Sequence, residues 1–129
     1  MTGKPLIFKT QEGIFDLTAS VTKVGQDFVV VIWGGERPHI GAVALAQSRQ
    51  SLKDPQMKSA TASVLSILGH KEDAVVKSVS ERLAAVADRP VVVTAGIHWD
   101  NLEQSDLSKI LKNVEILIQM IEGYLRTSR

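Results

Sequence analysis

The stretch Phe28-Val29-Val30-Val31-Ile32-Trp33-Gly34-Gly35-Glu36-Arg37-Pro38-His39-Ile40-Gly41-Ala42-Val43-Ala44-Leu45-Ala46 decides how this chain is read. Its first six residues are β-branched or aromatic, the mark of a strand in the middle of a sheet or covered on both faces. Gly34 to Gly41 holds three glycines, a proline, both charge signs and a histidine, and reads as a loop. Residues 40–47 then return as a second strand. A sheet and a polar, glycine-rich loop therefore stand side by side.

Outward from there, residues 6–10 read as a short first strand, with a turn at Gln11-Glu12-Gly13. Ile14, Asp16, Thr18 and Ser20 alternate with Phe15, Leu17, Ala19 and Val21, the period-two pattern of a half-buried strand. Residues 48–60 are polar and contain Pro55, so they read as a long exposed connector. Residues 61–68 form the next strand. The turn Gly69-His70-Lys71-Glu72-Asp73 opens a helix whose apolar stripe is Val75, Val76, Val79, Leu83 and Val86, stopped at Asp88-Arg89-Pro90. Residues 90–97 are a β-branched strand, and His98-Trp99-Asp100-Asn101 a polar turn.

A long helix runs from about Glu103 or Ser105 to about Arg126. Its stripe is Leu107, Ile110, Leu111, Val114, Leu117, Ile118, Ile121 and Leu125. Ile116, Met120 and Tyr124 widen it toward a partner helix or a subunit interface. The order β-β-β-β-β-α-β-α places the chain in the α+β class: a largely antiparallel sheet of about six strands with two helices packed on one face.

The 129 residues are expected to form one domain, 1–129. Aromatics make up only 5%, so the core must be aliphatic. The absence of cysteine excludes disulfides, zinc–thiolate sites and a cysteine nucleophile. A net charge of +1 argues against a dedicated nucleic-acid or anionic-membrane surface. No signal peptide is read at the N-terminus and no apolar run approaches the ~20 residues of a membrane span, so a cytoplasmic location is expected.

All three histidines, His39, His70 and His98, lie in loops beside strands. The loops at His70 and His98 leave strand ends and lead into helices. If those strands are parallel neighbours, the loops share one sheet edge, where helix N-termini, histidines and carboxylates could make a site. His98 and Asp100 point the same way in extended chain, so Asp100 could orient His98 or share a metal with it. The alternatives are a divalent-metal site, an anion site using Lys71 and Arg37, or plain helix capping by Asp100 or Asn101 with Glu72 and Asp73 merely favouring a helix start. Trp33 and Trp99 border these loops, either to stack on a flat ligand or to seal the sheet edge. No HExxH helix, phosphate loop or Gly-x-Ser-x-Gly elbow is present.

The stretches Gly34 to Val43, Gly69 to Asp73 and Gly96 to Asn101, in that order, resemble the prenylated-flavin chaperone-like family, which includes the D subunit of gallate decarboxylase. The resemblance covers about residues 28–125. It implies a fold similar to the proteasome assembly chaperones and a homodimer. It also implies an accessory role beside decarboxylases that use prenylated flavin mononucleotide, without catalysis by this chain. A decarboxylase catalytic subunit is the implied partner, and flavin mononucleotide or its prenylated form the implied ligand. No catalytic residue carries over. The candidate ligand-binding residues are Gly34, Gly35, Arg37, His39, His70, Lys71, His98, Trp99, Asp100 and Asn101. His39, His70 and His98 are weaker candidates for a metal. The competing readings are a small metal- or histidine-dependent enzyme using those histidines, and a pure assembly module with no ligand.

Overall fold

The computed structural model describes residues 3–67 and 72–128. The elements are β1 (Leu6–Lys9), β2 (Leu17–Val24), β3 (Asp27–Gly35), β4 (Ala42–Gln50), β5 (Lys58–Ser66), α1 (Asp73–Ala87), β6 (Val91–His98) and α2 (Gln104–Thr127). The α+β order read from the sequence is the order observed. The end of the expected fifth strand, Leu68, and the turn residues Gly69, His70 and Lys71 lie outside the described residues.

One six-stranded sheet runs β1-β2-β3-β6-β4-β5. Among the described residues only β3 and β6 pair in parallel, and every other pair is antiparallel. The last strand in sequence is thus inserted between β3 and β4, which are consecutive in the chain. The β3–β4 connection is therefore not a hairpin.

Alternation along the strands builds the core. Leu17, Ala19 and Val21 of β2, Val30 and Ile32 of β3, Ala42, Ala44 and Ala46 of β4, and Val91 and Val93 of β6 are all buried. Onto this face pack Val76, Val79, Leu83 and Ala84 of α1, and Val114, Leu117, Ile118, Ile121 and Leu125 of α2. Helix α1 lies over β4, β5 and β6, and α2 over β1 and β2 beside it. The buried face of β4 consists of alanines, so a helix facing it can approach closely without cutting into larger side chains. The helix α1 ends at Asp88, which takes a left-handed conformation (φ 54°) just before Arg89-Pro90, as the sequence implies.

Residues 48–60 are not a free connector. The β4–β5 ladder extends from Ala42↔Ser66 out to Gln50↔Lys58. The tip is closed by Ser51 Oγ, which accepts from the Lys53 and Asp54 amides, and by Asp54 Oδ1, which accepts from the Gln56 amide. The polar composition there reflects a hairpin arm wetted by solvent, and a backbone ladder needs no apolar side chains to form.

The opposite face of the sheet carries no helix among the described residues. The register aligns Ile7, Ser20, Val31, Thr94, Val43 and Leu65 in one row across it, and Thr22, Val29, Val92, Leu45 and Ser63 in the next. Leu45 is 46% and Leu65 79% exposed. No described helix is long and apolar enough to cross a membrane.

Candidate functional site

Strand direction decides what meets. With β3 parallel to β6, and β4 antiparallel to both β5 and β6, strands β3, β5 and β6 all end at the same sheet edge. β4 stands between β5 and β6, so those two strands share a direction without being neighbours. To pass from β3 to β4, residues 36–41 must cross the end of β6. The Glu36 amide donates to His98 O at 2.8 Å, and the Gly41 amide donates to Ala95 O at 2.9 Å.

This crossing explains the glycines. A Cβ on Gly96 would stand 1.4 Å from His39 O, and one on Gly41 would stand 2.2 Å from Glu72 Oε2. Gly35 has φ +94°, and a Cβ there would meet His98 O at 2.0 Å. Loop, strand end and helix start touch through positions where only hydrogen fits.

Two polar groups form at this edge. The outer one joins Arg37, His98 and Asp100. The Arg37 guanidinium donates to Asp100 Oδ1 at 2.7 Å and lies 2.8 Å from His98 Nε2, which is itself 2.8 Å from Asp100 Oδ1. A single imidazole nitrogen cannot accept from Arg37 and donate to Asp100 at once, so the tautomer of His98 selects between the two. The hydrogen bond from His98, then that involving Glu36, then the charge of Arg37 hold the Asp100 carboxyl below the usual carboxylate range. Arg37 remains 68% exposed along its side chain.

The inner group joins His39 and Glu72. His39 Nδ1 donates to Arg37 O at 3.0 Å, and its Nε2 stands 3.0 Å from Glu72 Oε1. Glu72 is only 9% exposed. It sits at the N-cap of α1 but makes no side-chain cap there; its Oε1 instead accepts from the Ile97 amide at 3.3 Å. Burial of a carboxylate is costly without partners, so this orientation is set by the β6 backbone and His39 rather than by the helix start.

Above the inner group opens a cavity of about 350 Å³ lined by His39, Glu72, Val75, Ile97, His98, Leu102, Leu107, Ile110, Leu111 and Val114. It lies between α1 and α2 at the end of β6. Leu107 and Leu111 are 48% and 58% exposed. Leaving about half of each leucine in water forgoes roughly 1 kcal/mol apiece. A second hollow of about 270 Å³ is lined by Arg37, Pro38, His39 and His98. His39 and His98 belong to both.

Of the residues expected at a site, Arg37, His39, His98 and Asp100 are brought together. Gly34 and Gly35 close β3 and serve as points of close approach. Trp99 packs edge-on against Phe15, with ring centroids 5.1 Å apart at 88°. Asn101 takes a left-handed turn conformation (φ 57°). Neither Asp100 nor Asn101 caps α2: the N-cap is Glu103, whose amide donates to Asp106 Oδ2 at 3.0 Å. His70 and Lys71 lie outside the described residues. Among the described residues, no three His, Cys, Asp or Glu side chains gather to hold a metal ion.

Sequence reading assigned Glu72 only a place at a helix start, and Leu107 and Leu111 only a place in a helix stripe. The available signal was spacing: Leu107 and Leu111 lie i, i+4 on the edge of an already wide stripe, one turn ahead of Ile110 and Val114, which reach the core. Leu102 carried no signal of its own.

Comparison with known proteins agrees with this architecture. The chain is 21% identical over 122 residues to Protein LpdD of Lactiplantibacillus plantarum, covering 92% of this chain and 84% of that protein. Its fold resembles a chain from the crystal structure of a chaperone complex for yeast 20S proteasome assembly, with TM-score 0.55 and 12% identity, covering 95% of this chain and 97% of that one. The model of the prenylated flavin chaperone LpdD-like domain matches residues 11–126. A match over that length makes this chain a member of the prenylated flavin chaperone LpdD-like family.

Proposed function

We propose that this chain is a non-catalytic accessory protein that binds a flavin-type cofactor, flavin mononucleotide or its prenylated form, at the edge built by residues 34–41 and 96–101, and serves a decarboxylase catalytic subunit. The observation that carries the reading is the Arg37–His98–Asp100 cluster, formed from two signature stretches 61 and 63 residues apart in sequence. An exposed guanidinium held in place by a carboxylate is a fit for a phosphate-bearing ligand, because a planar donor fork matches phosphate oxygens.

Fluorescence titration with flavin mononucleotide and with its prenylated form tests the cofactor half, expecting saturable quenching that His39→Ala with His98→Ala weakens. Co-purification with a decarboxylase subunit tests the partner half. No flavin binding by the wild type, together with unchanged partner binding in the double variant, would favour a pure assembly module.

The uncovered sheet face supports a homodimer. Its two central rows contain no charged residue. A neutral face is self-complementary across a two-fold axis, and several strands of such a sheet approach the roughly 800 Å² per partner of a standard interface. Light scattering is expected to give twice the chain mass, falling to one chain mass in Leu45→Lys with Leu65→Lys.

A further inference from the structure

The cavity between the N-terminal turns of α1 and α2, about 350 Å³, is larger than the hollow of about 270 Å³ beside Arg37. We propose that it takes a flat, largely apolar heteroaromatic ring carrying an N–H, entering ring-first, while the ligand's anionic end stays at Arg37. This rests on the reading above that the edge binds a flavin-type cofactor, and adds which part of the ligand goes where and which residues read it.

Three observations converge. First, the walls are hydrocarbon: Val75, Ile97, Leu107, Leu111 and Val114 surround about 350 Å³, within the range of small-molecule sites. Leu107 and Leu111 stay half exposed although the other α2 stripe positions from Ile110 to Leu125 are buried. Apolar side chains left open at one end of an otherwise covered helix are suited to covering by a ligand.

Second, the floor is an acceptor. Glu72 is 9% exposed and its Oε2 has no hydrogen-bond partner among the described residues, while its Oε1 takes the long 3.3 Å bond from the Ile97 amide and stands 3.0 Å from His39 Nε2. A carboxylate so placed has spare acceptor capacity in apolar surroundings, where an N–H donor is worth most. A purely hydrocarbon ligand would leave it unanswered. A second anion would be repelled.

Third, the cavity and the hollow beside Arg37 share His39 and His98. A ligand whose ring lies against Leu111 can thus extend past the histidines to the guanidinium. Apolar body, N–H edge and anionic tail follow one another in the order the site presents hydrocarbon, carboxylate and cation.

The test compares flavin mononucleotide with lumiflavin, which keeps the ring and lacks the phosphate arm. Binding is read by fluorescence titration against the wild-type chain and four variants whose melting curves show them folded. Leu111→Trp and, independently, Leu107→Trp fill the cavity from its exposed side and are expected to weaken both ligands by about tenfold or more. Glu72→Gln is expected to weaken both by about tenfold, the effect of one hydrogen bond to a charged acceptor. Arg37→Gln is expected to weaken flavin mononucleotide while leaving lumiflavin unchanged. If flavin mononucleotide binds the wild type and neither cavity-filling variant affects it, the ring lies elsewhere; the inference falls while the accessory-protein reading stands. If the wild type binds neither ligand, both fall.

Discussion

His39 Nε2 stands 3.0 Å from Glu72 Oε1, tying the loop that crosses the end of β6 to the N-cap of α1. The two residues belong to stretches separated by the whole β4–β5 hairpin. Their contact is possible because Gly41 and Gly96 leave room for it, a carboxylate packing on one and a backbone carbonyl on the other.

The glycines should therefore rank in stability by what they face. Gly96→Ala is expected to cost most, several kcal/mol or outright failure to fold, because the obstacle is His39 backbone. Gly41→Ala should cost about 1–3 kcal/mol, since the Glu72 side chain can move aside but only by giving up its buried position. Gly123 lies inside α2 with nothing within 4 Å, so Gly123→Ala should stabilise by about 0.5–1 kcal/mol. Urea denaturation of the three variants checks the order.

Asn113 should hold the loop before β2. It is 2% exposed, and its Nδ2 donates to Ile14 O at 3.0 Å and to Phe15 O at 2.7 Å. Phe15 sits at φ +53°, unusual for an aromatic, and packs against Trp99. Asn113→Ala removes the donor to both carbonyls and should cost about 1–3 kcal/mol. Release of Phe15 should also shift tryptophan fluorescence before global unfolding, a change that Leu125→Ala would not produce.

Arg82 pins the two helices together. Its guanidinium bonds Glu115 through both terminal nitrogens and reaches Glu122 at 3.1 Å. Glu115 is held below the usual carboxylate range, first by its hydrogen bond from Arg82. Arg82→Ala strands the largely buried Glu122, so it should cost about 1–3 kcal/mol, discounted toward the lower end because Arg82 and Glu115 are partly solvated. Arg82→Lys should recover only part, lacking the fork. Thermal melts in low and high salt check this, with the wild-type advantage shrinking as salt rises.

Acid should loosen the loop between β1 and β2. Asp16 is held below the usual carboxylate range, first by the hydroxyl of Thr10, then by the Glu12 amide, with the Gly13 amide adding to them. A folded-state value below the unfolded one favours folding above the ordinary carboxylate pKa near 4, and that contribution disappears as pH falls through the lowered value. Asp100 acts in the same direction at the site. The melting temperature of the wild type should therefore drop below about pH 4, and the gap between wild type and Asp16→Asn should narrow there. A gap that stays constant from pH 7 to pH 3 would contradict this.

Much of the fold was legible because the strands obey simple alternation. Leu17, Ala19 and Val21 face the core as their spacing implies, and the α2 stripe from Ile110 to Leu125 does the same. The β4–β5 arm was not legible: its polar outer residues look like loop, since backbone pairing leaves no trace in side-chain hydrophobicity. The site was half legible. The three histidine stretches stood out by composition, and Arg37, His39, His98 and Asp100 do meet. Glu72 and the leucines above it did not stand out, because a carboxylate at a helix start and a leucine in a stripe have ordinary explanations.

By itself, the sequence determined the element order, the apolar faces and the glycine-rich loop after β3. Those properties are local, set by side-chain period and by the hydrogen that only glycine presents. The tertiary structure alone decided that β6 enters between β3 and β4. Strand pairing is chosen by long-range packing among several nearly equivalent apolar strands, which no window of sequence contains. That single insertion forces the 36–41 loop across the strand end, brings His39 to Glu72 and Arg37 to Asp100, and opens the cavity between the helices.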